Sequence, residues 1–308
     1  MFTLKTDNDR LLLASPDLCA EIYLYGGLLN RYEIRRPDGT WFNIIKAYDT
    51  PQHARESLTE WFRSGKLSPY ACRLRHGKYS FDGKAYQCGK FKLAEHAAHG
   101  LMYDHEFALV NSHDDGQSAE VEIRADYAQD DSGYPFPFSL TVRYRLSADG
   151  LSIRSTVRNQ GTTAMPLADG WHPYFTLGGK TDDWSLEIDS SKRLGFDADL
   201  VPDGSMIDDT RFQTTSSLSG IELDNSFVLA RSKPAACTLS GNGLTLSLYP
   251  DASYPYLQVF TPSTRDTIAI ENLSGAPDCF NNGLGLIKLN AGEEAVFETR
   301  YHIAANRP

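Results

Sequence analysis

Leu140-Thr141-Val142-Arg143-Tyr144-Arg145-Leu146 carries its apolar side chains on even positions, and after Ser147-Ala148-Asp149-Gly150 the alternation resumes as Leu151-Ser152-Ile153-Arg154. A period of two sends successive side chains to opposite faces of a strand, and Asp-Gly supplies the positive φ of a tight reversal. The stretch reads as an antiparallel hairpin with one buried face. The same alternation recurs over residues 121–127, 244–248 and 297–303. Asp38-Gly39, Asp82-Gly83, Asp115-Gly116, Asp203-Gly204 and Asn242-Gly243 read as further turns. Closely spaced strands with turn signals between them, and no long helices alternating with them, predict an all-β antiparallel sandwich or barrel rather than a βαβ sheet. One helix is expected over residues 51–61, with Thr50 as its cap and Pro51 in its first turn.

Composition narrows the function. Of 308 residues, 41% are hydrophobic and 23% charged, enough apolar material for a large core. Thirty Lys plus Arg against 40 Asp plus Glu leave a formal charge of −10, and Arg35-Arg36 and Arg73-Leu74-Arg75-His76 are too small to form a basic face. Nucleic acid and anionic membrane surfaces are therefore poor partners. No run approaches the roughly 18 apolar residues of a membrane span, and charges near Met1 interrupt any signal-like segment, so a cytoplasmic location is expected. Five cysteines with no Cys-x-x-Cys pair fit a reducing compartment, as thiols without a role. No linker, repeat or low-complexity tract divides the chain, and residues 1–308 read as one domain.

Chemistry has to come from His, Glu, Asp and Arg. There is no Gly-x-Ser-x-Gly elbow and no glycine-rich loop that follows a strand and opens a helix, which argues against a nucleotide cofactor. Glu95-His96-Ala97-Ala98-His99 invites a metal reading, but its order differs from the zinc-protease signature and its context is β-rich, so no metal is expected. His99 precedes Gly100, and a glycine there lets another group approach the imidazole closely. His172 lies in Gly170-Trp171-His172-Pro173-Tyr174-Phe175, where aromatic faces suit the C–H faces of a sugar ring, although a core histidine among aromatics fits equally. Glu271 ends the apolar run Ile268-Ala269-Ile270, and burial there would raise its pKa toward that of a useful base. Asp224 and Arg73 are uninformative alone.

Taken in order, these segments resemble the aldose 1-epimerase (galactose mutarotase) family. Arg73 lies four residues before the run Gly77 to Tyr86; His99-Gly100 matches the family's first histidine; and His172-Pro173-Tyr174-Phe175-Thr176-Leu177 matches its second. Asp224 stands in Leu223-Asp224-Asn225-Ser226-Phe227, and Glu271 precedes Pro277-Asp278. The resemblance runs from about residue 60 to the C-terminus. It implies a large antiparallel supersandwich with the five residues on one concave face. Cys72 stands where the family often has Asn before the Arg, Trp171 where a small polar residue often precedes the second His, and Asn225 where a His often follows the Asp. The hexose-6-phosphate branch typically has an Arg soon after His-Gly; Leu101-Met102-Tyr103 here favours an unphosphorylated sugar.

The implied reaction interconverts α and β anomers by ring opening and reclosure, with Glu271 as base, His172 as acid, and Arg73, His99 and Asp224 holding the sugar. A nearby carboxylate would have to keep His172 protonated, and the resemblance favours sugar binding over that task for Asp224. Neither metal nor organic cofactor is required, and oligomeric state is left open. The rival readings are a carbohydrate-binding sandwich without turnover, a glycoside hydrolase built on Asp224 and Glu271, and a hexose-6-phosphate epimerase. The segment from Asp49 to Lys66 has no counterpart in the resemblance.

Overall fold

The hairpin read from the sequence forms in the computed structural model, which describes residues 1–306, as strands Phe138–Ser147 and Gly150–Asn159. Leu140 faces Val157, Tyr144 faces Ile153 and Leu146 faces Leu151, all buried. Each such side chain taken out of water stabilises the fold by about 1.5–3 kcal/mol. The hairpin sits inside a nine-stranded antiparallel sheet. The C-terminal strand Glu294–Ala305 lies between Gly150–Asn159 and Leu244–Pro250, so residues distant in sequence close its middle.

A second antiparallel sheet of eight strands packs on the first. Its order is Pro202–Asp208, Lys192–Phe196, Asp224–Val228, Tyr256–Phe260, Ile268–Leu273, Gly170–His172 and Gly65–Leu67, with Tyr174–Phe175 pairing on Ile268–Leu273 beside this path. Its inner face, including Trp171, Phe227, Leu257, Val259 and Ile270, joins the main hydrophobic core. Tyr144 of the first sheet meets Trp171 of the second at a ring-centroid distance of 6.2 Å. A five-stranded sheet from Thr3–Thr6 to Trp41–Asn43 completes the all-β architecture.

The expected helix is present as α1, Pro51–Trp61. The Thr50 hydroxyl accepts the His53 N–H at 3.0 Å, Pro51 fills the first turn, and the helix stops at Phe62 in left-handed conformation. Ala54 and Leu58 pack with Tyr23, Leu28, Tyr48, Phe62 and Tyr103 in a separate cluster. One expected turn is different: Asp203-Gly204 lies inside the strand Pro202–Asp208, beside a register shift against Leu194 to Phe196. Gly204, with φ 88°, accommodates an irregular strand there instead of a reversal. Among the described residues no helix is long and apolar enough to cross a membrane.

Candidate active site

Strand register assembles the site on the outer face of the eight-stranded sheet. Glu271 pairs with Gln258, and Asp224 with Phe260, so these four residues project to one side. Gly170 pairs with Leu273, which shares the face of Glu271, and two residues on His172 projects to that face as well. Arg73 is brought alongside by its own short strand, where it pairs with Ala98, next to His99. Cys72 carbonyl oxygen accepts the His99 N–H at 2.9 Å, with both residues in the left-handed region at φ 51° and 64°. Such strain, about 1–3 kcal/mol per residue, persists only where surrounding structure enforces it. Part of the enforcement comes from Asp278, whose N–H donates to Arg73 carbonyl oxygen at 2.7 Å and whose carboxylate accepts the Arg75 N–H at 2.8 Å.

All five residues singled out in the sequence line one cavity of about 230 Å³. Its walls include Trp61 and Phe62 from the end of α1, and Phe91, Phe196 and Phe260. The segment that lacked a counterpart thus supplies one wall.

His172 Nε2 lies 3.4 Å from Glu271 Oε1, and both side chains are buried. Burial, followed by the charge of Asp224, pushes the Glu271 carboxyl well above the usual carboxylate range. Burial pulls the His172 imidazole down to about 4. Both directions favour a neutral pair carrying one proton, and moving that proton from Oε1 to Nε2 converts it into carboxylate and imidazolium. The Cys72 thiol donates to the other oxygen, Oε2, at 3.8 Å. Burial keeps that thiol protonated, raising it well above the ordinary thiol value.

His99 is also held neutral: burial, then His172 and Arg73, push its pKa well below the usual range. Its ring meets that of His172 edge to face at 5.1 Å. The Nδ1 atoms of both histidines are buried without a partner, as is Gln258 Oε1. Gln258 Nε2 donates to Asp224 Oδ1 at 2.7 Å. Asp224 is raised by burial, with Arg73 and Gln258 opposing. Among the described residues the Arg73 guanidinium makes neither an ion pair nor a hydrogen bond, which leaves its N–H groups free for a ligand. Unmade hydrogen bonds inside an aromatic-walled cavity suit a small polyhydroxylated ring.

The carboxylate beside His172 is Glu271 itself, and Asp224 is engaged by Gln258. Two sequence readings need amending. Gly100 makes room for backbone rather than ligand, because a Cβ there would lie 2.4 Å from Ser68 carbonyl oxygen. Cys72 is not a bystander, since it touches Glu271. The two histidines of residues 95–99 diverge: His99 enters the cavity, while His96 Nδ1 accepts the His76 N–H at 3.1 Å. No group of three potential metal ligands occurs among the described residues. Gln258 and the phenylalanine walls were missed; the one signal for Gln258 is its polarity within Tyr256-Leu257-Gln258-Val259-Phe260.

Comparison with known proteins gives a consistent answer. The chain is 26% identical over 237 residues to YihR, an uncharacterized protein of Escherichia coli K12, covering 74% of each. Its fold matches a galactose mutarotase-like protein from Clostridium acetobutylicum with a TM-score of 0.87 at 16% identity, over 99% of this chain and 98% of that one. It also matches galactose 1-epimerase from Lactobacillus acidophilus, with a TM-score of 0.82 at 19% identity over 100% and 99% of the two chains. Residues 9–302 match the family model for aldose 1-epimerase, and the chain belongs to that family.

Proposed function

We propose that the protein is an isomerase that interconverts the α and β anomers of an unphosphorylated aldose, with Glu271 and His172 moving the protons. The observation that carries this reading is the 3.4 Å Glu271–His172 contact in a cavity that also holds Arg73, His99 and Asp224. Glu271 as carboxylate accepts the proton of the anomeric hydroxyl; the C1–O5 bond breaks with its electron pair passing to the ring oxygen, and His172 as imidazolium protonates that oxygen. The open aldehyde turns about C1–C2 and recloses on its other face as the two proton transfers run backward. The catalyst ends in its starting protonation state. Each transfer contributes about 10²–10⁴-fold, sufficient for a reaction that already proceeds slowly in water.

Arg73 and neutral His99 donate to sugar hydroxyls, while Asp224, oriented by Gln258, accepts from them. No metal or organic cofactor enters any step. Leu101 and Met102 are fully buried, so the positions after His99-Gly100 offer no phosphate clamp, which supports a free sugar. Residues as far apart in sequence as Thr59 and Pro277 line the cavity, which supports reading the chain as one catalytic unit.

The test is anomer exchange by NMR over a panel of hexoses and pentoses, free and 6-phosphorylated. Acceleration with free sugars is the expected result. Saturable binding without acceleration would instead select a carbohydrate-binding module, and release of nitrophenol from aryl glycosides a hydrolase. Acceleration confined to 6-phosphates would select the phosphosugar branch.

A further inference from the structure

Two separate parts of the chain wall the catalytic cavity beside Arg73. One is a small three-stranded sheet, Lys92–Leu93, His96–Ala98 and Arg73–Leu74, which with the residues at its ends supplies Phe91, Leu93, Arg73 and His99. The other is the hairpin of strands Lys192–Phe196 and Pro202–Asp208, which supplies Phe196 and, from the turn between them, Leu200. The strand Lys192–Phe196 pairs with its inner neighbour Asp224–Val228 only at Lys192 and Arg193. The eight-stranded sheet therefore supports the base of this hairpin, and residues 194–202 run on past that support toward the end of the strand that carries Asp224.

Arg75 joins the two walls. It donates to Asp197 Oδ2 through Nη2 and to Asp199 Oδ2 at 3.1 Å through Nη1, and His96 Nε2 stands 3.9 Å from the same Asp199 oxygen. Among the described residues these are the hydrogen bonds and ion pairs that tie the turn at 197–201 to segments outside its own hairpin. The turn otherwise closes on itself, with Asp197 Oδ1 accepting the N–H groups of Asp199 at 2.9 Å and Val201 at 3.2 Å. Leu200 is held at φ 56°, a region costly for leucine, while its side chain lines the cavity. Arg75 is firmly placed, because Asp278, which holds the Arg73 carbonyl, also accepts the Arg75 N–H. The side chains of Arg75, Asp197 and Asp199 are 33%, 35% and 51% exposed. Ion pairs so open to water are weak, so this tie biases the turn and still parts readily.

We propose that Arg75 is a positioning residue for anomer exchange: by clasping Asp197 and Asp199 it holds Phe196 and Leu200 against the bound sugar, which enters and leaves as the clasp opens. This rests on the anomer-exchange reading above. Arg75 does not line the cavity and acts through the wall it secures. An unclasped turn withdraws an apolar face from the C–H surface of the sugar and leaves the Glu271–His172 pair in place. The effect therefore falls on binding, in proportion to the clasped population, rather than on the chemical step.

Three variants test the clasp with glucose: Arg75→Ala, Arg75→Lys, and the double substitution of Asp197→Asn with Asp199→Asn, which keeps the Asp197 acceptor that shapes the turn. Exchange NMR reads KM and kcat, and amide hydrogen exchange at residues 198–201 reads the clasp without substrate. Arg75→Ala raises KM about three- to tenfold with kcat within about twofold, and it speeds hydrogen exchange at 198–201 while the base of the hairpin is unaltered. Arg75→Lys, whose ammonium can reach one carboxylate, recovers part of the KM. Adding Arg75→Ala to the asparagine pair raises KM no further, because its partners are already gone. Glucose is uncharged, so salt acts on KM through protein charges alone: about 1 M NaCl raises the KM of the unmodified protein about twofold and leaves that of Arg75→Ala unchanged. An unaltered KM in Arg75→Ala, a loss carried by kcat, or additive effects in the combined variant overturn the proposal. If the unmodified protein fails to accelerate glucose exchange, the functional reading fails, and hydrogen exchange at 198–201 still decides whether Arg75 clasps the turn.

Discussion

On the inner face of the strands Gly65–Leu67 and Gly170–His172, the fully buried Lys66 donates to Ser155 Oγ at 3.0 Å and to Asp169 Oδ1 at 2.5 Å. Its ammonium also lies 4.2 Å from the centre of the Trp171 ring, and Tyr254 gives Asp169 a second hydrogen bond at 2.8 Å. On the outer face, one residue along, His172 stands 3.4 Å from Glu271, with its Nδ1 unpartnered and the Arg73 guanidinium nearby unpaired. Both sets are buried, and burial shifts both: Lys66 is pulled down to about 8 and Asp169 raised, as His172 is lowered and Glu271 raised. The difference lies in how closely the charges meet and whether a cavity reaches them: Asp169 Oδ2 also lacks a partner, but Asp169 Oδ1 holds both Lys66 and Tyr254, and neither Lys66 nor Asp169 lines the catalytic cavity. The inner charges are tightly paired and hold two sheets together; the outer ones are loosely paired, with hydrogen bonds left for something else to make. A buried charge is thus assigned to scaffold or to chemistry by how closely it is paired and whether a cavity reaches it, rather than by its burial.

The strongest way to break this contrast is to substitute one member of each set. His172→Asn lowers turnover by about 10²–10⁴-fold while leaving chemical denaturation unchanged within about 1 kcal/mol, since a loosely paired group holds little structure. Lys66→Met does the reverse. It strands Asp169 in the core and costs about 3–5 kcal/mol of stability, measured by the urea midpoint, and Lys66→Met combined with Asp169→Leu recovers part of the loss. A Lys66→Met protein of unaltered stability would abolish the distinction.

The pH profile sharpens the outer half of the comparison. The working state carries one proton between Glu271 and His172. A second proton is taken up below about pH 4, where the lowered His172 titrates, and the shared proton is lost only as pH rises through the elevated pKa of Glu271. The expected profile of kcat/KM is a plateau bounded by these two limbs, which belong to the pair. A limb near the ordinary histidine value would contradict the burial argument. The smallest effect is expected at Cys72. Cys72→Ala removes a donor to Glu271 Oε2, lowers turnover about two- to fivefold, and moves the alkaline limb upward because the carboxylate has lost a stabilising bond. An unmoved limb would remove the thiol from the tuning of Glu271.

How much of this was legible depended on whether neighbours in sequence or in register carried the information. The hairpin around Asp149-Gly150 and helix α1 with its Thr50 cap are local, and residue pattern sufficed for both. Glu271 and His172 stood out because each is polar within an apolar or aromatic run. Gln258 became visible only when register set it opposite Glu271, and Cys72 only when a separate short strand carried it there. Lys66 carried no signal of its role, because nothing nearby in sequence announces Asp169 or Ser155 as partners. The turn expected at Asp203-Gly204 failed for a related reason, since an edge strand with a bulge tolerates the same dipeptide.

The central claim is that the Glu271–His172 pair moves the protons of anomer exchange. Exchange NMR on α-glucose and α-galactose with the unmodified protein and with Glu271→Gln addresses it most directly, with circular dichroism confirming that both are folded. The account predicts rapid exchange with the first and none above the solvent rate with the second; equal exchange with both would contradict it.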